Sequence, residues 1–379
     1  MRYSYLSNFT GIPTDCPHRE KNGWTGDAQL AQETGLWNFD ARKAYCHFEQ
    51  MIADTQTAGG PLCSMVPTGG WGYDINPPWD IALFEIPFQI MRFYNDPSAI
   101  KKFFQPMKHY WTFLNSIAKN GVIFRGLGDW CSPRGNGPEL KSFISSAYLC
   151  RMTQYFACAQ EIAGCNKKMA AATRERYLEL VQALQQTFLH ADGNWADGSL
   201  TARAVAAYFQ ISANPQSDAG ALALAVREDQ YRANFGIIGA KFVPRILAEY
   251  GYIDDALALF LQQEYPGWGY CLKQGAVSLW ENWQGTSSQN HIMFGDCSAW
   301  MYEYLAGFKP GLAEIAPQFP QKLNHVRAVH REISIEWKRQ KDSIQIILLT
   351  EGCMFPTRTL RLPDGTEYKI DRKRMEISF

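Results

Sequence analysis

Asp15, Arg19, Glu20, Trp24 and Asp27 stand within one short stretch, P-T-D-C-P-H-R-E-K-N-G-W-T-G-D, residues 13–27. Pro13, Pro17, Gly23 and Gly26 interrupt it, so a continuous helix is not expected there. Carboxylates crowded this closely repel one another unless something compensates, and Arg19 can hold one ionised and in place. Trp24 offers a flat apolar face on which the C–H side of a sugar ring can lie. These residue types together point to a sugar site with a carboxylate available for proton transfer.

A second stretch of the same character runs over 267–295, G-W-G-Y-C-L-K-Q-G-A-V-S-L-W-E-N-W-Q-G followed by T-S-S-Q-N-H-I-M-F-G. Glu281 lies between Trp280 and Asn282, with Trp283 next. A carboxylate flanked by indoles is expected to be partly desolvated, which raises its pKa and strengthens it as a base. Glycoside hydrolysis needs two carboxyl groups. The chain has two aromatic-rich carboxylate segments far apart in sequence, and the fold has to bring them together.

The elements that must do so are mostly helical. Helices are expected over 27–37, with Asp27 as a possible N-cap, and over 40–57, capped by Asp40. A loop rich in Gly, Pro and Trp follows, containing Trp71, Tyr73, Asp74 and Trp79; a long loop of this composition between helices points to function. Further helices are expected over 79–94 (kinked at Pro87), 97–119, 138–164, 166–190, 202–210, 218–227, 231–250, 254–264 and 294–308. Asp129 and Trp130 sit in a Gly-rich loop before the helix over 138–164. Glu85 and Glu139 are expected at helix surfaces or caps. From about residue 324 the apolar period changes to two, and L-P-D-G-T-E-Y reads as a hairpin with an Asp-Gly turn.

The chain has 379 residues, with 37 basic and 37 acidic side chains, so no net charge draws it to nucleic acid. Aromatics make up 14% of it, including 12 Trp, which suits carbohydrate binding. No apolar run is long enough to span a membrane, and the first ten residues do not form a signal peptide; a cytoplasmic protein is the expectation. Ten scattered cysteines without framework or zinc-finger spacing are expected to be reduced thiols.

The stretch D-C-P-x-R-E-K-x-G-W-x-G-D resembles the signature of the bacterial α-L-rhamnosidases, and W-E and N-H-x-x-x-G matches follow in family order. The resemblance covers nearly the whole chain. It implies a mainly α protein, an (α/α)6 barrel over residues 1–312, and a small C-terminal β-sandwich over 313–379. It implies an inverting exo-acting glycosidase that removes terminal α-L-rhamnose from a rhamnosylated small molecule or polysaccharide. Glu20 would be the general acid and Glu281 the general base. Asp15, Arg19, Asp27 and His291 would address the sugar hydroxyls, with Asp74 and Asp129 nearby. Trp24, Trp71, Trp79 and Trp130 would wall an apolar pocket suited to the 6-deoxy methyl, and Trp280 would also contact substrate. No metal or cofactor is implied, and a homo-oligomer is possible. In some members the acid stands one position later, where this chain has Lys21, so the role rests on Glu20.

Bland roles compete with these. Asp15 and Arg19 make a plausible structural ion pair, Trp71 and Trp79 plausible core, Asp74, Asp129 and Asp27 plausible caps, and His291 a plausible structural histidine. Against family members the signature starts close to the N-terminus, so one or two barrel helices are expected to be missing. That expectation leaves two further readings open: a carbohydrate-binding remnant without activity, and a barrel glycosidase for another sugar.

Overall fold

The computed structural model describes residues 1–350, 358–371 and 373–379. Fifteen α-helices precede seven strands among these residues. The helices are α1 (Arg2–Ser7), α2 (Thr25–Asn38), α3 (Arg42–Asp54), α4 (Pro77–Asp80), α5 (Ala82–Tyr94), α6 (Ser98–Lys102), α7 (Phe104–Ile117) and α8 (Pro138–Ile162). They continue with α9 (Lys167–Phe188), α10 (Leu200–Tyr208), α11 (Pro215–Glu228), α12 (Ile237–Glu249), α13 (Ile253–Leu261), α14 (Trp268–Lys273) and α15 (Cys297–Trp300), the last running into a π-helical turn, Met301–Leu305.

Two kinds of helix alternate. In α2 every residue from Thr25 to Trp37 is buried, and in α12 every residue from Ile237 to Ala248. Helices buried on all sides carry no amphipathic stripe; small and neutral residues such as those of G-D-A-Q-L-A-Q-E-T-G suit close packing all round. By contrast α9 buries only Ala170, Thr173, Leu180, Leu184 and Phe188, one face at helical spacing. The buried helices α2, α5, α8, α10, α12 and α15 pack in that order, and α15 and α12 both return to α2, closing an inner ring. The amphipathic helices α3, α7, α9, α11 and α13 pack outside it. This is an (α/α)6 barrel.

The interior of the ring is stitched by charge. Arg245 of α12 donates to both oxygens of Asp296 (2.8 and 2.9 Å), to Glu303 (2.7 Å) and to Glu33 of α2 (3.0 Å). Lys241 lies 3.0 Å from Glu33, and Arg92 of α5 3.6 Å from its other oxygen. Three carboxylates therefore meet three cations. Burial alone would raise the Glu33 carboxyl, but Arg245, Lys241 and Arg92 outweigh it and hold Glu33 far below the usual range. Trp37 donates to Glu303 and Thr34 to the Gly295 carbonyl, so the last inner helix is tied to the first. Glu85 was expected at a surface. It is buried instead, accepting from Tyr155 of α8 and Gln89, because α5 belongs to the inner ring.

Some boundaries differ from those expected. Helix α2 begins at Thr25, so Asp27 lies in its first turn and is not its cap; α3 begins at Arg42, two residues past Asp40. The stretches 79–94 and 97–119 are each divided into two helices, at Ile81 and Phe103. The pieces at Arg2–Ser7 and Trp268–Lys273 were not expected as helices, being too short for periodicity to show.

The strands are β1 (Glu314–Ile315), β2 (His325–His330), β3 (Ile333–Arg339), β4 (Ile344–Thr350), β5 (Arg358–Arg361), β6 (Glu367–Ile370) and β7 (Arg374–Ser378). They form two sheets, ordered β1-β5-β6 and β2-β3-β4-β7. Alternate residues Ile333, Ile335 and Trp337 of β3 and Ile344, Ile346 and Leu348 of β4 are buried, the period-two pattern of a half-buried strand. Trp337 donates to the Leu305 carbonyl and His330 contacts the Trp37 carbonyl, docking the four-stranded sheet on the barrel. Among the described residues no helix is long and apolar enough to cross a membrane, and the nine cysteines are free thiols.

Replacing Arg245 with Ala leaves the ring with three buried carboxylates and only Lys241 and Arg92 to answer them. The expected loss is roughly 3–5 kcal/mol, read as a lower urea midpoint by far-UV circular dichroism. A midpoint unchanged in Arg245→Ala would show that the network does not hold the ring.

Candidate active site

Each loop that carries a candidate residue leads into the N-terminal end of an inner helix: 8–24 into α2, 61–76 toward α4 and α5, 121–137 into α8, 229–236 into α12 and 274–296 toward α15. Helix N-termini expose unpaired N–H groups and a partial positive charge.

The first loop is closed at its base by Asp15, whose Oδ1 accepts from the Asn22 N–H (2.8 Å) while its own N–H donates to the Asn22 carbonyl (3.0 Å). Cys16, fully buried, accepts the Glu20 N–H at 3.3 Å and so fixes the turn from which Glu20 projects. Trp24 Nε1 donates to Glu20 Oε2 at 2.9 Å. The Arg19 guanidinium lies between the two candidate carboxylates. One nitrogen donates to Glu20 Oε1 at 3.0 Å and to Glu281 Oε2 at 2.5 Å. Residues 261 apart in sequence are thus within the length of two hydrogen bonds of each other.

Glu281 was expected to have a raised pKa, and the structure gives the opposite. Burial pushes it up, but the Ser288 N–H (2.9 Å to Oε2) and Arg19 outweigh burial and bring it below the ordinary glutamate value. The two indoles expected to desolvate it are directed elsewhere. Trp283 is buried among Trp268, Phe235 and Phe294. Trp280 packs over Gly285 and lines an apolar groove on the barrel's flank. Neighbours in an extended segment point to opposite sides, so the residue beside a site carboxylate is not a wall of its site.

Beneath the Arg19 bridge lie Asp15, Asp27 and His291, all nearly or wholly buried. His291 Nδ1 accepts the Ile292 N–H at 3.1 Å and faces Asp27 Oδ1 at 3.3 Å; Nε2 faces Asp15 Oδ2 at 3.7 Å. An Nδ1 that accepts from backbone carries no proton. Burial likewise drives the His291 pKa down to about 4 and those of Asp15 and Asp27 up. The group is therefore a neutral imidazole between two carboxyls of weakened acidity. Asp15 Oδ2 and Asp27 Oδ1 are buried without a hydrogen-bond donor.

Of the other expected residues, Trp71 is half exposed and meets Trp24 edge-on, ring centroids 5.7 Å apart. Trp130 is also partly exposed, and Asp74 is exposed on the 61–76 loop. Two are corrected. Trp79 is core, 3% exposed, packed beneath Gly26, where any Cβ would strike its ring. Asp129 is spent on structure. Its oxygens accept from Thr201 and from the Gly236, Ile238 and Gly239 N–H groups, capping α12. A side chain at Gly236 would meet the Trp130 carbonyl oxygen at 2.1 Å, so only glycine lets the two loops approach.

Sequence reasoning missed Asp80. It is buried and accepts from Ser64 Oγ (2.8 Å), the Asn76 N–H (3.1 Å) and Tyr110, with burial raising its pKa to about 7. Ser64 in turn takes the Thr25 N–H, and Asn76 Oδ1 takes the Leu127 N–H. One carboxyl group thus ties three rim loops together. Its only sequence signal was a charge beside Pro77-Pro78. Among the described residues no group of three or more His, Cys, Asp or Glu is placed to hold a metal.

A closed ring of six inner helices with facing carboxylates on its N-terminal rim is the architecture of the six-hairpin glycosidases. Over residues 1–305 the chain matches the bacterial alpha-L-rhamnosidase 6 hairpin glycosidase domain, and it belongs to that family. It is 27% identical over 369 residues to an alpha-L-rhamnosidase of Formosa agariphila, a match covering 89% of this chain and 40% of that protein. Its structure resembles the alpha-L-rhamnosidase of Streptomyces avermitilis complexed with L-rhamnose (TM-score 0.91, 20% identity, all of this chain and 40% of that one). It also resembles the alpha-L-rhamnosidase from Dictyoglumus thermophilum (TM-score 0.87, 25% identity, all of this chain and 47% of that one). The chain spans about two fifths of the length of the curated relatives it matches.

Asp129→Ala removes the acceptor for three backbone N–H groups at the start of α12. Stability is expected to fall by about 2–4 kcal/mol, with hydrogen exchange at Gly236, Ile238 and Gly239 accelerated ahead of the rest of the barrel. Uniform acceleration would count against a local cap.

Proposed function

We propose that this chain is the catalytic part of a glycoside hydrolase that releases terminal non-reducing α-L-rhamnose with inversion, Glu20 acting as general acid and Glu281 as general base. The observation that carries the reading is the shared Arg19 contact, which brings together two carboxylates from opposite ends of a rhamnosidase-family barrel. Glu281, held ionised by Ser288 and Arg19, suits a base. Glu20 accepts the Trp24 indole N–H through one oxygen and Arg19 through the other, which fixes its carboxyl group at the rim. Trp24 and Trp71 supply the apolar wall for the ring's C–H face and methyl group, and Asp15, Asp27 and His291 the polar floor for its hydroxyls. Inversion needs a water between sugar and base. The Arg19 guanidinium occupies the space between the carboxylates, so it swings aside when sugar enters; its half-exposed side chain is free to do so.

The competing reading, a binding remnant without turnover, predicts rhamnose binding with no hydrolysis. Release of p-nitrophenol from p-nitrophenyl α-L-rhamnopyranoside, followed by optical rotation or NMR for the anomer first formed, separates the two. Glu20→Gln and Glu281→Gln are each expected to lose roughly 10²–10⁴-fold or more in kcat/KM while keeping the wild-type circular dichroism spectrum. Turnover within a factor of a few of wild type in either variant would sink that residue's role. Equal hydrolysis of arabinosides or mannosides would instead assign another sugar.

Arg19→Met makes a second, pH-based test. With Arg19 gone, burial dominates at Glu281 and its pKa rises. The base then protonates at higher pH, so the acid limb of kcat/KM is expected to move to higher pH. A limb that stays in place would show that it does not report Glu281.

A further inference from the structure

Trp71 stands on a short arch of backbone. Gly69 and Gly70 precede it and Gly72 follows; Gly70 and Gly72 take φ of +96° and +90°, a region that glycine enters without strain. The indole is half exposed and meets the edge of Trp24. The arch is gripped at the Trp71 carbonyl. The Thr68 hydroxyl donates to that oxygen at 2.6 Å, and the Cys63 thiol donates to it at 3.0 Å. Thr68 belongs to the same turn, where it also accepts the Gly70 N–H (3.1 Å), whereas Cys63 is buried at the base of the loop. Cys63 Sγ lies 2.9 Å from the Met65 carbonyl as well, and Met65 pairs with Trp24 in an antiparallel bridge. Ser64, the next residue, sends its hydroxyl the other way to Asp80, donates its N–H to the Gly72 carbonyl (2.8 Å) and accepts the Thr25 N–H (2.9 Å). The Cys63 thiol therefore sits where the Trp24 segment, the base of the loop and the Trp71 arch meet.

We propose that Cys63 is a positioning residue for the sugar site: its buried thiol clamps the Trp71 carbonyl and so sets the Trp71 indole against Trp24, the residue that holds Glu20. This role rests on the reading of Trp24 and Trp71 as the wall of a rhamnose site; the clamp itself does not. A buried cysteine behaves as a small apolar side chain with one weak donor. It can therefore fill the space under the arch and still serve a carbonyl there. The fit is close, since a Cβ on Gly72 would come within 3.0 Å of the sulfur. Without the thiol, Thr68 remains as the side-chain donor to that carbonyl, and Thr68 rides on the turn it would have to restrain. Trp71 then stands in the binding position for only part of the time, and apparent affinity for the sugar falls by that fraction. Bound sugar restores the wall, so turnover of the bound complex changes little. Cys63 thus acts on binding, through Trp71, and not on the reacting atoms.

The test compares Cys63→Ala, Cys63→Ser and, as a control, Cys150→Ala, which removes a buried thiol of α8. The indole N–H resonance of Trp71, assigned with Trp71→Phe, is followed by ¹⁵N NMR, and L-rhamnose is titrated into each variant. Hydrolysis of p-nitrophenyl α-L-rhamnopyranoside supplies KM and kcat. Cys63→Ala is expected to shift and broaden the Trp71 resonance and to raise the rhamnose Kd and KM together by roughly threefold to tenfold, the worth of one hydrogen bond, with kcat within about twofold. Cys63→Ser, which keeps a donor, should recover most of the affinity. Cys150→Ala should lower Tm while leaving the Trp71 resonance and KM in place. A Trp71 resonance and a rhamnose Kd both unchanged in Cys63→Ala would overturn the proposal. So would a loss that serine does not restore, which would assign Cys63 to packing alone. A Trp71 resonance that shifts in a chain that neither binds nor hydrolyses rhamnoside would keep the clamp and remove the sugar reading on which its role rests.

Discussion

The Arg245 cluster is the constraint on which the rest of the molecule depends. A guanidinium buried among Asp296, Glu303 and Glu33, with Lys241 and Arg92 completing the charge balance, joins α12, α15, α2 and α5 at one point inside the ring. Such a cluster adds little net stability over apolar packing of the same shape, because desolvating the charges costs nearly what their attraction returns. What it does supply is a penalty for any other register: sliding one inner helix by a turn strands a charge in the core. The rim above inherits that register. Glu281 is reached through the segment that ends at Asp296, and the Glu20 loop runs directly into the helix that carries Glu33.

Electrostatics at the rim follows a related logic in the opposite sense. In the ring, Glu33 is held ionised because cations surround it. Below the Arg19 bridge, Asp15 and Asp27 face a neutral imidazole and are pushed toward their protonated forms by burial. A few ångströms above, Glu281 is pulled the other way by Arg19 and Ser288. Burial on one side and Arg19 with Ser288 on the other thus move neighbouring carboxyls of one site in opposite directions.

How much of this was legible in the sequence depended on whether a residue's partner was local. The signature loop, the pair of carboxylates, the helical alternation and the switch to period two near residue 324 were readable, because each is written in adjacent side chains. The alternation of buried and amphipathic helices was present as composition, but only the ring shows that α2 and α12 are inner. Trp79, Trp280 and Asp129 went astray for one shared reason: an indole or carboxylate next to a site motif can face either side of its segment, and the backbone direction that decides this comes from distant contacts. Trp79 lies under Gly26, Trp280 over Gly285, and Asp129 beneath an α12 that starts more than a hundred residues later. The same holds for the Glu281 pKa, which Arg19 helps set from 262 residues away. Asp80 was invisible because its importance lies in joining three loops, and no single loop records that.

Each of these rim loops enters its own inner helix, and the loops are joined to one another at a few points, by Asp80 and Asn76, by Arg19 with Glu281, and by Asp129 with Gly236. The ring sets where two carboxylates stand; the loops set what may lie between and around them. Lengthening the 61–76 or 121–137 segment would redraw the walls of the site without disturbing the buried charges beneath it. In evolutionary terms the barrel is a chassis with separately exchangeable fittings, and the leaving group accepted by such a domain can drift while the position of its proton donor stays fixed.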